Sequence, residues 1–231
     1  MGLPIIVFDL DGTLVDTAPD LLDSLNHCLQ TANVPPVEAD EIRRFVGFGS
    51  RVMIERAFAD HGQPLAEGQL DILQAIFLEH YSAKMPGKSR PFAGVLQAIS
   101  RFRQAGYLTA VCTNKLEELS VSLLDALEIT ENFEAVCGAD TFAHRKPDPR
   151  HLLDTIERAG GDRGRAVMVG DSRTDIDTAK AAGIPVVAVD FGYTDVHVRH
   201  FEPSRVISHF DELTVGLAEA LIREASGIAV S

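Results

Sequence analysis

Basic residues are scarce in this chain: 21 Lys and Arg stand against 34 Asp and Glu, a formal net charge of -13. A surface so short of cations is poorly suited to nucleic acid, whose binding rests on Lys and Arg neutralising phosphates. Cysteine is scarce too. Cys28, Cys112 and Cys137 lie far apart with no CxxC or zinc-like spacing, and the latter two sit inside apolar segments. They read as small core hydrophobes rather than redox or metal groups. No apolar run reaches the ~20 residues that a membrane span requires. At the N-terminus Asp9 and Asp11 interrupt the apolar run Ile5-Ile6-Val7-Phe8, and no basic segment precedes it as in a secretory leader. The expectation is a soluble, reduced, cytoplasmic protein with neither a membrane nor a nucleic acid as partner.

What is present is the material of a folded enzyme. With 231 residues, 45% hydrophobic and 24% charged, the chain can bury one large core or two smaller ones. Pro4 to Leu10 is a short apolar, β-branched run that ends at Asp11-Gly12, the pattern of a buried strand running into a polar turn. The same grammar recurs at Tyr107 to Cys112 before Thr113-Asn114, and at Ala166 to Val169 before Gly170-Asp171-Ser172. Pro185 to Val189 before Asp190 and Phe133 to Cys137 extend it. Strands this uniformly apolar suit a parallel sheet covered on both faces. Helical patterns alternate with them at Val95 to Gln104, Leu116 to Leu127, Pro149 to Ala159 and Thr174 to Ala182. The fold class expected is therefore α/β, a doubly wound parallel-sheet (Rossmann-like) core.

Between the first strand and Pro91 the pattern changes. Thr17 to Asn33 is amphipathic, and Glu38 to Phe45, Ser50 to Ala59 and Gln69 to Lys84 continue as helices with no strand candidate among them. The expected organisation is an α/β core made of residues 1–15 and 88–231, with an inserted all-helical segment over 16–87. A last helix is expected over Asp211 to Glu224.

Ligands of an open parallel sheet bind beyond the carboxyl ends of its strands. The polar residues that follow the proposed strands are Asp9 and Asp11, Thr113 and Asn114, and Asp171 and Asp175, and Lys146 can join them from the loop His144 to Pro149. Crowded carboxylates repel one another unless a cation neutralises them. Hard oxygen ligands with room for water and a phosphate suit Mg²⁺, and a metal also explains how so acidic a protein admits an anion. Asp9 and Asp11, two apart on an extended chain, emerge on the same side. One can attack phosphorus while the other handles the leaving group's proton. Thr113 and nearby amides can hold phosphoryl oxygens, and Lys146 supplies a point charge.

These residues resemble the haloacid dehalogenase-like hydrolase superfamily. Its first motif is matched by Phe8-Asp9-Leu10-Asp11-Gly12-Thr13-Leu14-Val15-Asp16, its second by Cys112-Thr113-Asn114, its third by Arg145-Lys146-Pro147-Asp148-Pro149 and its fourth by Gly170-Asp171-Ser172-Arg173-Thr174-Asp175. The first is highly specific, and all four occur in order along the chain. The resemblance implies a Mg²⁺-dependent phosphomonoesterase in which Asp9 is the nucleophile and forms an aspartyl phosphate. Asp11 is then the general acid and base. The implied metal ligands are the Asp9 carboxylate, the Asp11 carbonyl and Asp171, with Asp175 a ligand or an outer-shell partner. Thr113, Asn114 and Lys146 bind the phosphoryl group. Asp11 itself favours phosphatases and mutases, since the dehalogenases lack an acid at that position.

The helical insertion resembles the superfamily's cap, which closes over the site and excludes water. Within it, Gly47, Gly49, Ser50 and Arg51 form a glycine-bearing turn before a helix and are the candidate specificity residues, Arg51 as a carboxylate clamp. This segment, Ser89-Arg90-Pro91-Phe92 and Phe191-Gly192-Tyr193-Thr194 resemble the phosphoglycolate phosphatase branch, which implies 2-phosphoglycolate as the small phosphorylated metabolite handled by a monomer or homodimer. Pyrophosphatase and broader sugar-phosphate phosphatase activities are the alternatives. The mutase branch carries a His twelve positions after the nucleophile, where this chain has Leu21, and the cap lysine of phosphonatases has no match, because Lys84 and Lys88 lie at the exit of the insertion. A degenerate ligand-binding or partner-binding member would have lost Asp9, Asp11, Lys146 or Asp171, and none is lost.

Other polar residues read as structural. His197 and His200 are three apart but lack a carboxylate-histidine signature and read as surface. His144 reads as a loop residue. Asp16 and Asp20 lie at the junction of the insertion, and Phe45, Phe48 and Phe58 read as packing within it.

Overall fold

A first strand of uniformly apolar residues, β1 (Leu3–Phe8), lies in the middle of the molecule and is buried from Pro4 onward. A computed structural model describes residues 2–39, 41–42, 46–47 and 49–227. β1 pairs in parallel with β4 (Leu108–Cys112) on one side and β6 (Gly161–Gly170) on the other. Outside these lie β5 (Ala135–Cys137), then β7 (Val186–Val189) and β8 (Arg205–Ile207) at the opposite edge, giving the order β5-β4-β1-β6-β7-β8. The sheet is parallel throughout, and the fold is the α/β, Rossmann-like one expected.

Alternation along each strand explains why both faces had to be apolar. Ile6 and Phe8 of β1, Val111 of β4, Val167 and Val169 of β6 and Val187 and Val189 of β7 enter one core. That core is completed by α4 (Val95–Gln104) and α8 (Val215–Ala225) through Ile99, Phe102 and Leu221. Their neighbours Ile5, Val7, Ala110, Cys112, Ala166, Met168, Val186 and Ala188 enter the opposite core. There α6 (Pro149–Arg158) and α7 (Arg173–Ala182) cover them with Leu152, Ile156, Ile176 and Ala179. α5 (Glu117–Ala126) follows β4 and adds Leu123 and Leu124 to the first core. Cys112 and Cys137 are buried free thiols, as expected, and so is Cys28.

The helical excursion leaves the sheet through β2 (Val15–Asp16) and returns through β3 (Arg90–Pro91), which pair antiparallel. It contains α1 (Ala18–Thr31), α2 (Ser50–Asp60) and α3 (Gln69–Lys84). Leu25, Cys28, Leu29, Ile54, Phe58, Leu73 and Phe77 give it a hydrophobic cluster of its own. Phe58 packs there as expected. The helix expected over Glu38 to Phe45 lies partly, and the packing residues Phe45 and Phe48 wholly, outside the described residues.

Three differences from the sequence reading have physical causes. β6 begins at Gly161 rather than Ala166, because its first residues pair with the chain at Leu3 while staying largely exposed, so no apolar pattern marks them. β8 is a three-residue edge strand containing an exposed Arg205, too short for periodicity. The final helix starts at Val215 rather than Asp211, because Thr214 caps it through Leu217 N and residues 210–212 form a separate single turn.

Candidate functional site

The carboxyl ends of β1, β4 and β6 deliver the polar residues to one edge, where they meet the helical excursion around a cavity. Asp9, Asp11, Thr113, Asn114 and Lys146 line it from the sheet side, and Gly47, Gly49, Ser50 and Arg51 line it from the excursion. All nine were candidates from the sequence. Asp171 and Asp175 are not among the lining residues; they are buried, and with Asp9 they form a group of carboxylates whose nearest oxygens lie within 4.8 Å of one another.

Asp9 is held at the end of β1 by a hydrogen bond from its N–H to the Val169 carbonyl (2.9 Å). Lys146 Nζ lies 2.9 Å from Asp9 Oδ1 but outside hydrogen-bonding alignment, so that oxygen has no aligned donor. The ammonium instead donates to Asp175 Oδ1 at 2.6 Å. Asp175 Oδ2 accepts from Asp171 N, Ser172 N and Ser172 Oγ (3.2, 3.0 and 2.6 Å), which closes a capping box at the start of α7. Both oxygens of Asp175 are thus engaged. Asp171 receives Thr13 Oγ1 on Oδ1 (2.8 Å) and the Tyr193 N–H on Oδ2 (2.6 Å).

This carboxylate group is short of positive charge. Burial, reinforced by Asp175, pushes the Asp9 carboxyl up to about 6 although Lys146 opposes the shift. Burial, then Asp175 and Asp9, push Asp171 well above the ordinary carboxylate range. Burial alone would lower Lys146, yet Asp175 and Asp9 outweigh it and hold the ammonium charged. Oxygen-only ligands and an excess of negative charge over the single Lys146 ammonium fit a hard divalent cation of the Mg²⁺ type.

Asp11 has different neighbours. Its Oδ1 accepts from Thr17 Oγ1 (2.7 Å) and from Lys115 Nζ (3.1 Å), and Lys115 is also 3.3 Å from Oδ2. Lys115 escaped the sequence reading, because a single lysine after Thr113-Asn114 carries no pattern. Its side chain is only 6% exposed. Nζ sits over the ring of Tyr81, 4.2 Å from the centroid. That hydroxyl is buried and has no hydrogen-bond partner among the described residues.

The remaining candidates take positioning roles as well as lining the cavity. Thr113 is fixed by its N–H to the Cys137 carbonyl (3.0 Å). Asn114 Nδ2 donates to the Lys146 carbonyl (3.0 Å), tying the second and third motifs together. The Lys146 N–H donates to His151 Nδ1 (3.1 Å), and burial, then Lys146, lower the His151 imidazole to about 4, so it is a neutral acceptor. His144 pairs with Asp154 (2.8 Å), consistent with a loop role. Arg51, the expected carboxylate clamp, lines the cavity with one terminal nitrogen 2.5 Å from Asp71 Oδ1 and 2.9 Å from Gln74 Oε1, and its side chain is 47% exposed.

Two further contacts join the site to the excursion. Tyr193, whose N–H meets Asp171, sends its hydroxyl to Asp16 and receives the Ala18 N–H at 2.8 Å. Asp20, at the start of α1, accepts from Lys88 N, Ser89 N and Ser89 Oγ at the return crossing (2.9, 2.7 and 2.5 Å).

Comparison with known proteins places this geometry in context. The family model for haloacid dehalogenase-like hydrolases matches residues 6–189. A phosphoglycolate phosphatase of Mesorhizobium japonicum is 65% identical over 97% of this chain and 99% of its own length. One from Agrobacterium fabrum is 50% identical over 98% and 97%. Among solved structures, a predicted phosphoglycolate phosphatase from Haemophilus somnus 129pt superposes with a TM-score of 0.85 at 28% identity, over 91% of this chain and 96% of that one.

Proposed function

The chain belongs to the haloacid dehalogenase-like hydrolases, and from that premise we propose that it is a Mg²⁺-dependent phosphomonoesterase that hydrolyses 2-phosphoglycolate to glycolate and phosphate. The observation that carries the chemistry is the buried Asp9, paired with Lys146 and grouped with Asp171 and Asp175, lining the same cavity as Asp11. The high identity to two phosphoglycolate phosphatases supports the choice of substrate.

In this reading Asp9 attacks phosphorus, the bond to the ester oxygen breaks, and Asp11 protonates the departing alkoxide. Asp11 then takes a proton from water, which attacks the phosphorus carried on Asp9 and releases inorganic phosphate. Lys115 and Thr17 hold Asp11 in place for both transfers. Thr113 and Asn114 hold the phosphoryl oxygens, and Lys146 keeps its charge beside the nucleophile. Asp9, Asp171 and the Asp11 carbonyl would hold Mg²⁺, with Asp175 outside that set because Lys146, Ser172 and Asp171 N already take its oxygens. When bound, the ion offsets the charge of the carboxylates and of the phosphoryl group. Residues 16–87 serve as a cap over a core made of 1–15 and 88–231, and its closure excludes water.

Asp9→Asn is expected to lower kcat at least about 10³-fold while the circular dichroism spectrum and thermal midpoint are retained. Turnover near that of the wild type would overturn the nucleophile assignment. For the substrate, kcat/KM should be highest for 2-phosphoglycolate in a panel with sugar phosphates and pyrophosphate, and equal values across the panel would remove that choice.

A further inference from the structure

A two-carbon substrate carrying a second anion needs a partner for it close to the chemistry. In 2-phosphoglycolate the carboxylate carbon is two bonds from the ester oxygen that Asp11 must reach. Its partner therefore has to lie beside Asp11, not across the cavity. Lys115 Nζ is 3.1 Å from Asp11 Oδ1 and lines the same cavity.

The other cations there are less suited. Lys146 is held between Asp9 and Asp175. Arg51 already contacts Asp71 and Gln74, and Arg145 is exposed. Lys115 has three N–H groups, and among the described residues Asp11 is the one side chain that accepts from it, through the two oxygens of a single carboxylate. Beside it the Tyr81 hydroxyl is buried without a partner among the described residues, and Tyr81 also lines the cavity. An unpaired hydroxyl in such a setting costs free energy unless a ligand completes it. Leu21, Phe77, Leu78 and Leu119 form apolar wall around the two, which strengthens a charged hydrogen bond and leaves bulkier polar substrates unsatisfied.

Resting on the substrate reading above, we propose that Lys115 and Tyr81 form the subsite for the substrate's carboxylate. Lys115 comes from the turn after β4 and Tyr81 from the last turns of α3, so the carboxylate would bridge the sheet side and the helical side of the cavity. Arg51 then acts at the rim, through its contacts with α3, rather than as the clamp.

The test is the ratio of kcat/KM for 2-phosphoglycolate to that for ethyl phosphate, which lacks the carboxylate, in the wild type, K115M, K115R and Y81F. The wild-type ratio should fall about 100-fold in K115M, recover in part in K115R, and fall about 5-fold to 10-fold in Y81F. A loss in K115M that is equal for both esters would overturn the subsite, leaving Lys115 as a positioning residue for Asp11. A wild-type ratio near one would overturn the subsite together with the substrate reading, so the two failures are distinguishable. If K115M does not fold, Y81F decides: an unchanged ratio overturns the proposal.

Discussion

Gly12 shows how much one position in the first motif carries. Its φ is +86°, and a Cβ there would lie 2.4 Å from Asp171 Oδ2 and 2.8 Å from the Tyr193 ring. Asp171 cannot retreat easily, because Thr13 and the Tyr193 N–H hold its two oxygens. Gly192 is under the same constraint from the other side, its added Cβ falling 2.2 Å from that of Asp171. Gly12→Ala should therefore displace Asp171, raise the Mg²⁺ concentration needed for half-maximal activity at least 10-fold, and cost about 1–3 kcal/mol of stability through the left-handed φ. A Mg²⁺ titration with a thermal melt of the same sample checks it, and an unchanged Mg²⁺ midpoint would count against Asp171 as a ligand. At this scale the sequence was informative where a residue follows an apolar strand. Asp9, Thr113 and Asp171 were legible for that reason. Lys115 and Tyr81 were not, because each acts through a partner far away in the chain, and His151 was not, because its partner five residues away is a backbone N–H that no residue pattern marks.

Among the elements, the sheet and most helices could be read from apolar runs and periodicity, since β1, β4, β7 and the second half of β6 are buried on both faces. The antiparallel pair β2–β3 could not, because two-residue strands joining Val15 to Pro91 and Asp16 to Arg90 depend on contacts across the whole excursion. Asp20 secures the same junction. It is 8% exposed and accepts three donors from Lys88 and Ser89, and a Cβ on Gly87 would fall 2.5 Å from its Oδ1. Asp20→Ala leaves those donors unpaired in a largely buried place and is expected to cost about 2–3 kcal/mol. Chemical denaturation would measure it, and amide exchange at Lys88 and Ser89 should accelerate in parallel. A loss below about 0.5 kcal/mol would mean that water replaces the carboxylate without penalty.

For the molecule as a whole, stability and metal binding are linked through pH. Without metal, Asp9 holds its proton to about 6 in the folded state, against 3.8 for the ordinary group. Between those values the folded chain binds more protons than the unfolded one, so this carboxyl lowers stability as pH rises from about 4 through about 6. His151 acts oppositely: its depression to about 4 gives stability present above about 6.5 and lost as pH falls through about 4. Because His151 contributes with and without metal, the difference between the two conditions isolates the carboxylates. The rise in thermal midpoint on adding Mg²⁺ should be small near pH 4, grow through pH 6 and then level off. A rise that is flat from pH 4 to 7 would argue against metal binding at Asp9. The β2–β3 pair carries a separate consequence. Since the outgoing and returning strands are hydrogen-bonded neighbours, everything between them begins and ends at one point, so the closure entropy it imposes on the sheet grows only slowly with its length. Such a junction is a natural graft point: exchanging the intervening helices for another helical hairpin stack would transplant selectivity while leaving the hydrolytic machinery where it stands.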